Sequence, residues 1–217
     1  ALIRTQFLKR FESSIDAFNR SCDRLLLKLL TFITRYAIDD SQKSRIESWR
    51  AKHNEIIGGV NQRQTDFFEK DEDLEEDLIT PEMLEEVEEL DSADYDLKTI
   101  IEDTYADLDQ LILFLTELKK FKPSQDDKLK RLIKLLKTDS VMKKYKALIF
   151  TEYAETARYL RKQLDKADIE GLESIDGGSG KNRSDIVQRF APYYNGLSSS
   201  ELEAENRKEI RVLISTD

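Results

Sequence analysis

The sequence predicts an α/β protein, in which a mainly helical N-terminal region with a long helical hairpin precedes an incomplete parallel α/β sheet. Glycine and proline are scarce, with 7 and 3 residues among 217, which disfavours a loop-rich all-β fold. Apolar residues recur at helical spacing near the N-terminus, whereas continuous apolar runs typical of buried parallel strands begin near residue 147. We therefore predict two domains, residues 1–140 and residues 141–217.

The composition excludes several classes of site. The chain has one cysteine, Cys22, and one histidine, His53, which cannot form a Cys/His zinc site, a disulfide framework or a Ser-His-Asp triad with a suitably placed histidine. The longest apolar run, within residues 25–33, is too short to span a bilayer, and the N-terminus lacks the layout of a signal peptide. We expect a cytoplasmic protein with no membrane partner.

Two long helices are predicted in the first domain. Apolar residues from Leu8 to Tyr36 alternate spacings of three and four without a break, which predicts that residues 1 to about 37 form one helix about 50 Å long. Residues 94–120 form a second amphipathic stretch, and the pair favours an antiparallel helical hairpin. Between them, residues 41–57 are predicted as a helix that ends at the glycine pair 58–59.

Two further helix starts are predicted from their capping residues. Thr80 followed by Pro81 is typical of an N-cap with proline at the first helical position. Pro123 is expected to break the second long helix, and Ser124 is expected to cap the helix that follows it.

The net charge of -9 is distributed unevenly along the chain. Residues 66–109 contain 20 acids and 2 bases, so the remainder carries 24 acids and 33 bases, and residues 110–217 alone carry 21 bases against 17 acids. The bases outside the acidic block leave nucleic-acid binding open. We expect residues 66–91 to be a mobile, solvated insert, and the alternative is a nucleic-acid mimic or a docking site for a basic protein partner.

The second domain is predicted to alternate strands and helices. Apolar runs at residues 147–150, 173–175 and 212–214 are the strand candidates, and helices are expected after the first run and at residues 184–190. This order is typical of a doubly wound parallel sheet. Three strands are few for a complete sheet, so we expect the chain to be a piece of a larger protein.

Several blocks of the sequence resemble superfamily 2 helicases and translocases, and bacterial Swi/Snf-type members in particular. Lys-Ala-Leu-Ile-Phe-Thr-Glu-Tyr at residues 146–153, with Thr-Ala-Arg-Tyr-Leu at 156–160, resembles the opening of their C-terminal RecA-like lobe. Two later blocks of that lobe are also matched. The first is matched by Asp176-Gly-Gly178 followed by Arg183, Ile186 and Arg189-Phe190, and the second by Arg-Val-Leu-Ile-Ser-Thr-Asp at residues 211–217. Residues 8–18 and 127–129 resemble the segments that lead into the lobe.

The resemblance implies a set of functional residues at strand ends and helix starts. It implies nucleic-acid backbone contacts by Thr151, Ser179, Arg183, Ser215 and Thr216, and cofactor binding by Asp217. Two structural alternatives stay open: Thr151 and Ser179 as simple helix caps, and Arg183 in an internal pair with Asp185 or Asp176.

The same resemblance implies ATP and Mg²⁺ as cofactors of a full-length parent that is a nucleic-acid-dependent ATPase. This sequence has no Walker-type phosphate loop, no Asp-Glu box and no arginine finger, and Gly177-Gly178-Ser179-Gly180 has the wrong spacing and is expected to be a turn. We therefore expect no cofactor for this piece alone and no catalytic residue within it.

Two functions are compatible with these observations. One is part of an ATP-dependent helicase or DNA translocase motor, contributing nucleic-acid backbone binding and coupling between lobes, with double-stranded DNA as the expected partner. The alternative is a helical docking module of a larger restriction or remodelling complex, in which the hairpin or the acidic insert binds a protein.

Overall fold

The computed structural model describes residues 2–37, 39–68, 95–175 and 183–216. Most of the acidic insert, the predicted cap at Thr80 and Pro81, and the predicted site residues Ser179 and Asp217 lie outside the described residues. The chain divides into two compact units, which we call the helical unit (residues 19–120) and the α/β unit (residues 1–18 and 121–217). Residues 1–18 and 121–140 thus belong to the same compact unit as the sheet. The domain boundary predicted after residue 140 stays a prediction.

Four helices form the described part of the helical unit: α2 (Ile15–Tyr36), which begins in the α/β unit, α3 (Asp40–Lys52), α4 (Asn54–Phe68) and α5 (Leu97–Lys120). Asp39 starts α3 by accepting a hydrogen bond from the Gln42 N–H, and Asp96 accepts one from the Thr99 N–H at the start of α5. The interior contains residues from all four helices: Cys22, Leu26, Ile33, Ile46, Val60, Leu108 and Leu115.

The prediction of one uninterrupted N-terminal helix is wrong, because the chain breaks at Ser14 between α1 (Leu2–Ser13) and α2. The Ser14 hydroxyl accepts from the Ala17 N–H at 3.1 Å and exchanges a hydrogen bond with the Thr156 hydroxyl at 2.7 Å. A serine side chain that caps the following turn competes with the hydrogen bonds of a continuous helix. α1 therefore ends before Ser14, and α2 begins after it.

The predicted helix end at Gly58 and Gly59 is also wrong. The break falls at His53, and α4 continues through both glycines. A glycine inside a helix costs about 1 kcal/mol relative to alanine. Val60 and Arg63 follow the glycines on the same helix. The burial of Val60 and the contact of Arg63 with Asp23 of α2 offset that cost.

The α/β unit contains α1 followed by α6 (Asp127–Thr138), α7 (Ser140–Lys144), β1 (Ala147–Thr151), α8 (Ala154–Lys166), β2 (Leu172–Ile175), α9 (Arg183–Phe190), α10 (Ser199–Ala204) and β3 (Val212–Thr216). Short 3-10 turns occupy Pro123–Gln125 and Tyr193–Asn195. Asp126, and not the predicted Ser124, caps α6, because the 3-10 turn that begins at Pro123 takes up Ser124 and Asp126 then accepts from the Leu129 N–H.

The three strands form a parallel sheet in the order β1-β3-β2. One face packs on α6 and α8, where Ala147, Val212 and Ile214 meet Leu136 and Leu164. The other face carries Leu213, which packs with Ile186 of α9 and Ile210. The predicted α/β class is confirmed at this level: a mostly helical chain with a small parallel sheet.

Candidate nucleic-acid interface

The carboxyl ends of the strands bring three of the predicted site residues together. In the parallel register Thr151 lies opposite Thr216, and Phe150 lies opposite Ser215. Ser215 is also opposite Ile175, the last residue of β2. In parallel sheets this edge is where ligands bind, because loops and helix starts converge there. We call Thr151, Ser215 and Thr216 the hydroxyl edge.

The hydroxyl edge is divided between the two faces of the sheet. Side chains alternate along a strand, so Thr151 and Thr216 belong to the face of Ala147 and Ile214, which packs on α6 and α8. Ser215 belongs to the opposite face, with Leu213. The two threonines therefore form an adjacent pair, and Ser215 points away from them.

The hydrogen bonds of these hydroxyls also differ. The Thr151 hydroxyl oxygen accepts from the Tyr153 N–H at 3.5 Å, which uses only its acceptor side. The Ser215 hydroxyl donates to the Thr216 carbonyl at 3.0 Å, which uses its proton. A phosphate oxygen only accepts hydrogen bonds, so Thr151 is the better donor to it. Thr151 is not the predicted N-cap: it ends β1, and Tyr153 holds the cap position of α8.

The first turn of α8 follows directly behind Thr151. Its N-cap, Tyr153, makes no side-chain capping bond, so the first N–H groups of this 13-residue helix depend on other partners. Glu155 in this turn is only 2% exposed, and its carboxylate accepts from Arg10 of α1 at 3.0 Å. The Arg10 guanidinium also lies 4.6 Å from the centre of the Tyr153 ring. Arg10 thereby offsets the negative charge that Glu155 places at the start of α8.

A cluster of hydroxyls joins the α1–α2 break to α8. The buried Thr156 hydroxyl lies 2.8 Å from the Ser13 hydroxyl and 2.7 Å from that of Ser14. Lys128 of α6 donates to the carbonyls of Glu12 and Ser13, the last carbonyls of α1. A cation at a helix C-terminus satisfies unpaired carbonyls and favours the helix dipole. These contacts hold α1, α6 and α8 around the end of β1.

A groove of about 1120 Å³ lies within the α/β unit at this point. Its lining includes Thr151 and Phe150 from β1, together with residues of the α1–α2 break and the starts of α6 and α8. On one wall the Tyr159 hydroxyl donates to Asp126 at 2.9 Å, and burial, followed by this hydrogen bond and the charge of Asp126, raises the pKa of Tyr159. Tyr159 therefore stays neutral and holds the α6 cap against α8.

The remaining predicted residues lie apart from this groove or outside the described residues. Arg183 is the exposed first residue of α9, which packs on the opposite face of the sheet. The carboxylate of Asp185, one of its proposed partners, forms ion pairs with Arg189 at 3.3 Å and with Arg207 at 2.8 Å. Asp176, the other proposed partner, lies outside the described residues, as do Ser179 and Asp217.

ATP and Mg²⁺ as cofactors of a full-length parent stay a prediction, and the described residues add one observation about metal ligands. Among these described residues, no group of three or more His, Cys, Asp or Glu side chains could hold a metal ion. Residues 177–180, predicted as a turn, and Asp217 lie outside the described residues. We assign no step of ATP hydrolysis to these residues. In the same described ranges, no helix is long and apolar enough to cross a membrane.

Sequence reasoning missed the residues that shape the groove. The contacts of Arg10 with Glu155 and of Ser14 with Thr156 join positions more than 140 residues apart, and no local pattern signals them. The hydrogen bond between Tyr159 and Asp126 joins positions 33 residues apart, and no local pattern signals it either.

No protein-family model matches this chain, and neither the curated proteins nor the solved structures contain a match.

Proposed function

We propose that this chain is part of an ATP-dependent helicase or DNA translocase motor, and that its α/β unit is the start of a RecA-like lobe that contacts the nucleic-acid backbone. The observation that carries the proposal is the register of the sheet, which sets Thr151 beside Thr216 at the carboxyl edge. These are two of the residues that the resemblance assigns to backbone contacts, and they lie in separate blocks of the sequence.

The chemistry of the edge suits a phosphate and not a base. The Thr151 hydroxyl keeps its proton for an outside acceptor, and the start of α8 directs N–H groups and the positive end of a helix dipole to the same edge. Contacts of this type fix the position of a strand without reading its sequence. A translocating lobe requires such sequence-independent contacts, since it must bind each successive nucleotide in the same way.

The contacts around α1 give the proposed lobe a way to respond to movement. Arg10 and the two serines at the α1–α2 break contact Glu155 and Thr156 in the first turn of α8. That turn lies directly behind Thr151, so displacement of α1 would shift the phosphate-binding edge. We assign this network the role of coupling between parts of the motor.

Fluorescence anisotropy with a labelled 20-base-pair duplex tests the proposal. Loss of one hydrogen bond to a charged phosphate costs about 1.5 to 3 kcal/mol, so Thr151→Val should weaken binding about tenfold or more. The slope of log affinity against log salt should not change, because no cation is removed. Thr116→Val, which removes a hydroxyl bound to its own helix in the helical unit, is the matched control.

Arg183 is tested in the same titrations. Arg183→Ala should lower the salt slope by about one, as expected for one lost phosphate contact. Equal affinities for Thr151→Val, Thr116→Val and the parent would contradict the edge as a binding site. Tight binding of the parent to one base sequence would contradict the motor, because backbone contacts do not specify bases.

A further inference from the structure

The two helices before β1 carry a large excess of basic residues. Residues 128–144 contain seven lysines and arginines and one acid, Asp139, in a chain whose net charge is -9. All seven cations are exposed, and Lys128 donates to the end of α1. We call the other six the basic stripe: Lys130, Arg131, Lys134, Lys137, Lys143 and Lys144.

The stripe on α6 follows from the helical period. Leu129 and Leu136 are buried, and Leu136 packs on the sheet. In a helix with 3.6 residues per turn, positions 130, 131, 134 and 137 lie about 90° to 150° around the axis from these two leucines. Lys130 and Lys137 are seven residues apart, which separates their backbone positions by about 10 Å along the axis. The four cations on α6 are thus arranged in a row along one helix.

The exposed face of another helix, α3, differs from the basic stripe in carrying charges of both signs. The exposed face of α3 mixes Asp40 and Glu47 with its bases, and Arg45 of α3 binds Glu102 through two hydrogen bonds. In the stripe Lys130 pairs with Asp127 at 2.9 Å, and Lys144 lies 5.5 Å from the Tyr145 ring centre. Within the described residues, no carboxylate forms an ion pair with Lys134, Lys137 or Lys143. Such an excess of like charge favours a polyanionic partner.

We propose that the basic stripe binds the phosphate backbone of double-stranded nucleic acid, as an extension of the hydroxyl edge. This inference rests on the proposed function and adds to it a surface outside the blocks of sequence resemblance. The stripe starts beside the groove, because Asp127 and Lys128 at the start of α6 line it together with Thr151.

The regular spacing of the stripe selects nucleic acid over an acidic peptide. One strand of a duplex carries a negative charge about every 3.4 Å along its axis, so the row from Lys130 to Lys137 spans roughly three phosphates. An acidic peptide has no fixed charge spacing to match a rigid row. Lysine ammonium groups bind phosphate as point charges and do not require the paired geometry that carboxylates give arginine.

The test is the salt dependence of duplex binding by Lys134→Gln/Lys137→Gln in the full chain. Two lost phosphate contacts should lower the slope of log affinity against log salt by about 1.8. At 0.1 M salt this corresponds to binding weakened by about 60-fold, if affinity at 1 M salt is unchanged. The control, Lys43→Gln/Lys52→Gln, makes the same charge change on two exposed lysines of α3 and should keep the parental slope.

The outcomes separate this inference from the proposed function. A parental slope in the stripe variant, with binding still weakened by Thr151→Val, would overturn the stripe and leave the hydroxyl edge intact. A reduced slope in the stripe variant, with no effect of Thr151→Val, would support the stripe and overturn the edge. Displacement of the duplex by poly-glutamate at equal charge concentration would assign the stripe to an acidic protein and overturn the proposal.

Discussion

The buried ion pair between Asp23 and Arg63 is predicted to be a major stabilising contact of the helical unit. Asp23 on α2 is 1% exposed, and Arg63 on α4 donates to both of its carboxylate oxygens at 2.7 Å. Removing one member of a buried pair typically costs about 3 to 5 kcal/mol, because the other charge stays desolvated. The Arg63 side chain is 39% exposed, so water can reach the site, and we expect Arg63→Met to cost about 3 kcal/mol.

Urea denaturation followed by tryptophan emission measures this cost. Trp49 is the single tryptophan and is 9% exposed within the helical unit, so its emission reports on that unit. With a slope of about 2 kcal/mol per molar urea, a loss of 3 kcal/mol lowers the midpoint by about 1.5 M. Replacing both charges, as Asp23→Leu/Arg63→Met, should recover most of the loss, since apolar pairs can substitute for buried ions.

Arg45→Met is the matched control for Arg63→Met. Arg45 makes the same two-bonded contact, but its acceptor Glu102 is solvent-exposed, so the midpoint should move far less. Equal midpoint shifts for Arg45→Met and Arg63→Met would refute the reasoning, because burial of Asp23 would then contribute nothing.

Three further predictions concern stability. Leu26 is fully buried in the helical unit, so Leu26→Ala should cost about 3 kcal/mol by the same emission assay. Burial, with a smaller effect of the Lys52 charge, lowers the pKa of His53 in the folded protein. The contribution of neutral His53 to the free energy of unfolding should therefore be complete above about pH 6.5 and be lost as pH falls through the lower folded pKa. His53→Gln should remove this pH dependence. Gly171 has φ +63° and a Cβ there would lie 2.9 Å from the Arg211 nitrogen, whereas Gly196 at φ +73° has open space. In thermal melts Gly171→Ala should therefore lower the melting temperature clearly more than Gly196→Ala, and equal losses would show that the predicted clash is relieved.

The sequence predicted the elements whose signals are local. The continuous apolar runs at 147–150 and 212–214 are both strands, and the alternating order of strands and helices favours parallel pairing. Only the run at 212–214, in the central strand β3, is buried throughout; in the edge strand β1, Leu148 and Phe150 are exposed. The apolar series of residues 97–118 predicted α5, since its buried residues recur at helical spacing.

Features that depend on distant contacts were not predictable. The helical pattern runs through Ser14 without interruption, and the break falls where the Ser14 hydroxyl both caps the following turn and contacts Thr156 on α8. The strand order β1-β3-β2 likewise depends on which strands meet in space. The division of the hydroxyl edge between two sheet faces required the register, because neither Thr151 nor Ser215 shows its partner in the sequence.

The residues of the basic stripe are present in the sequence, but a charge balance taken over a long segment conceals their excess. Charge counted over residues 110–217 includes the acids of α10 and of the segment before β3, and the balance is only +4. The excess becomes evident only over residues 128–144, once the helices that expose these cations are known.

Site-specific crosslinking at Thr151 tests the central proposal most directly. The only native cysteine, Cys22, is buried, and burial together with the nearby Asp23 charge raises the pKa of its thiol to about 12, so an introduced cysteine reacts selectively. Thr151→Cys carrying a photo-crosslinker should crosslink to a bound duplex, whereas the same label at Ser200, exposed on α10, should not. With the duplex shown to be bound by anisotropy, no crosslink at position 151, or an equal yield at position 200, would contradict nucleic-acid binding at the hydroxyl edge.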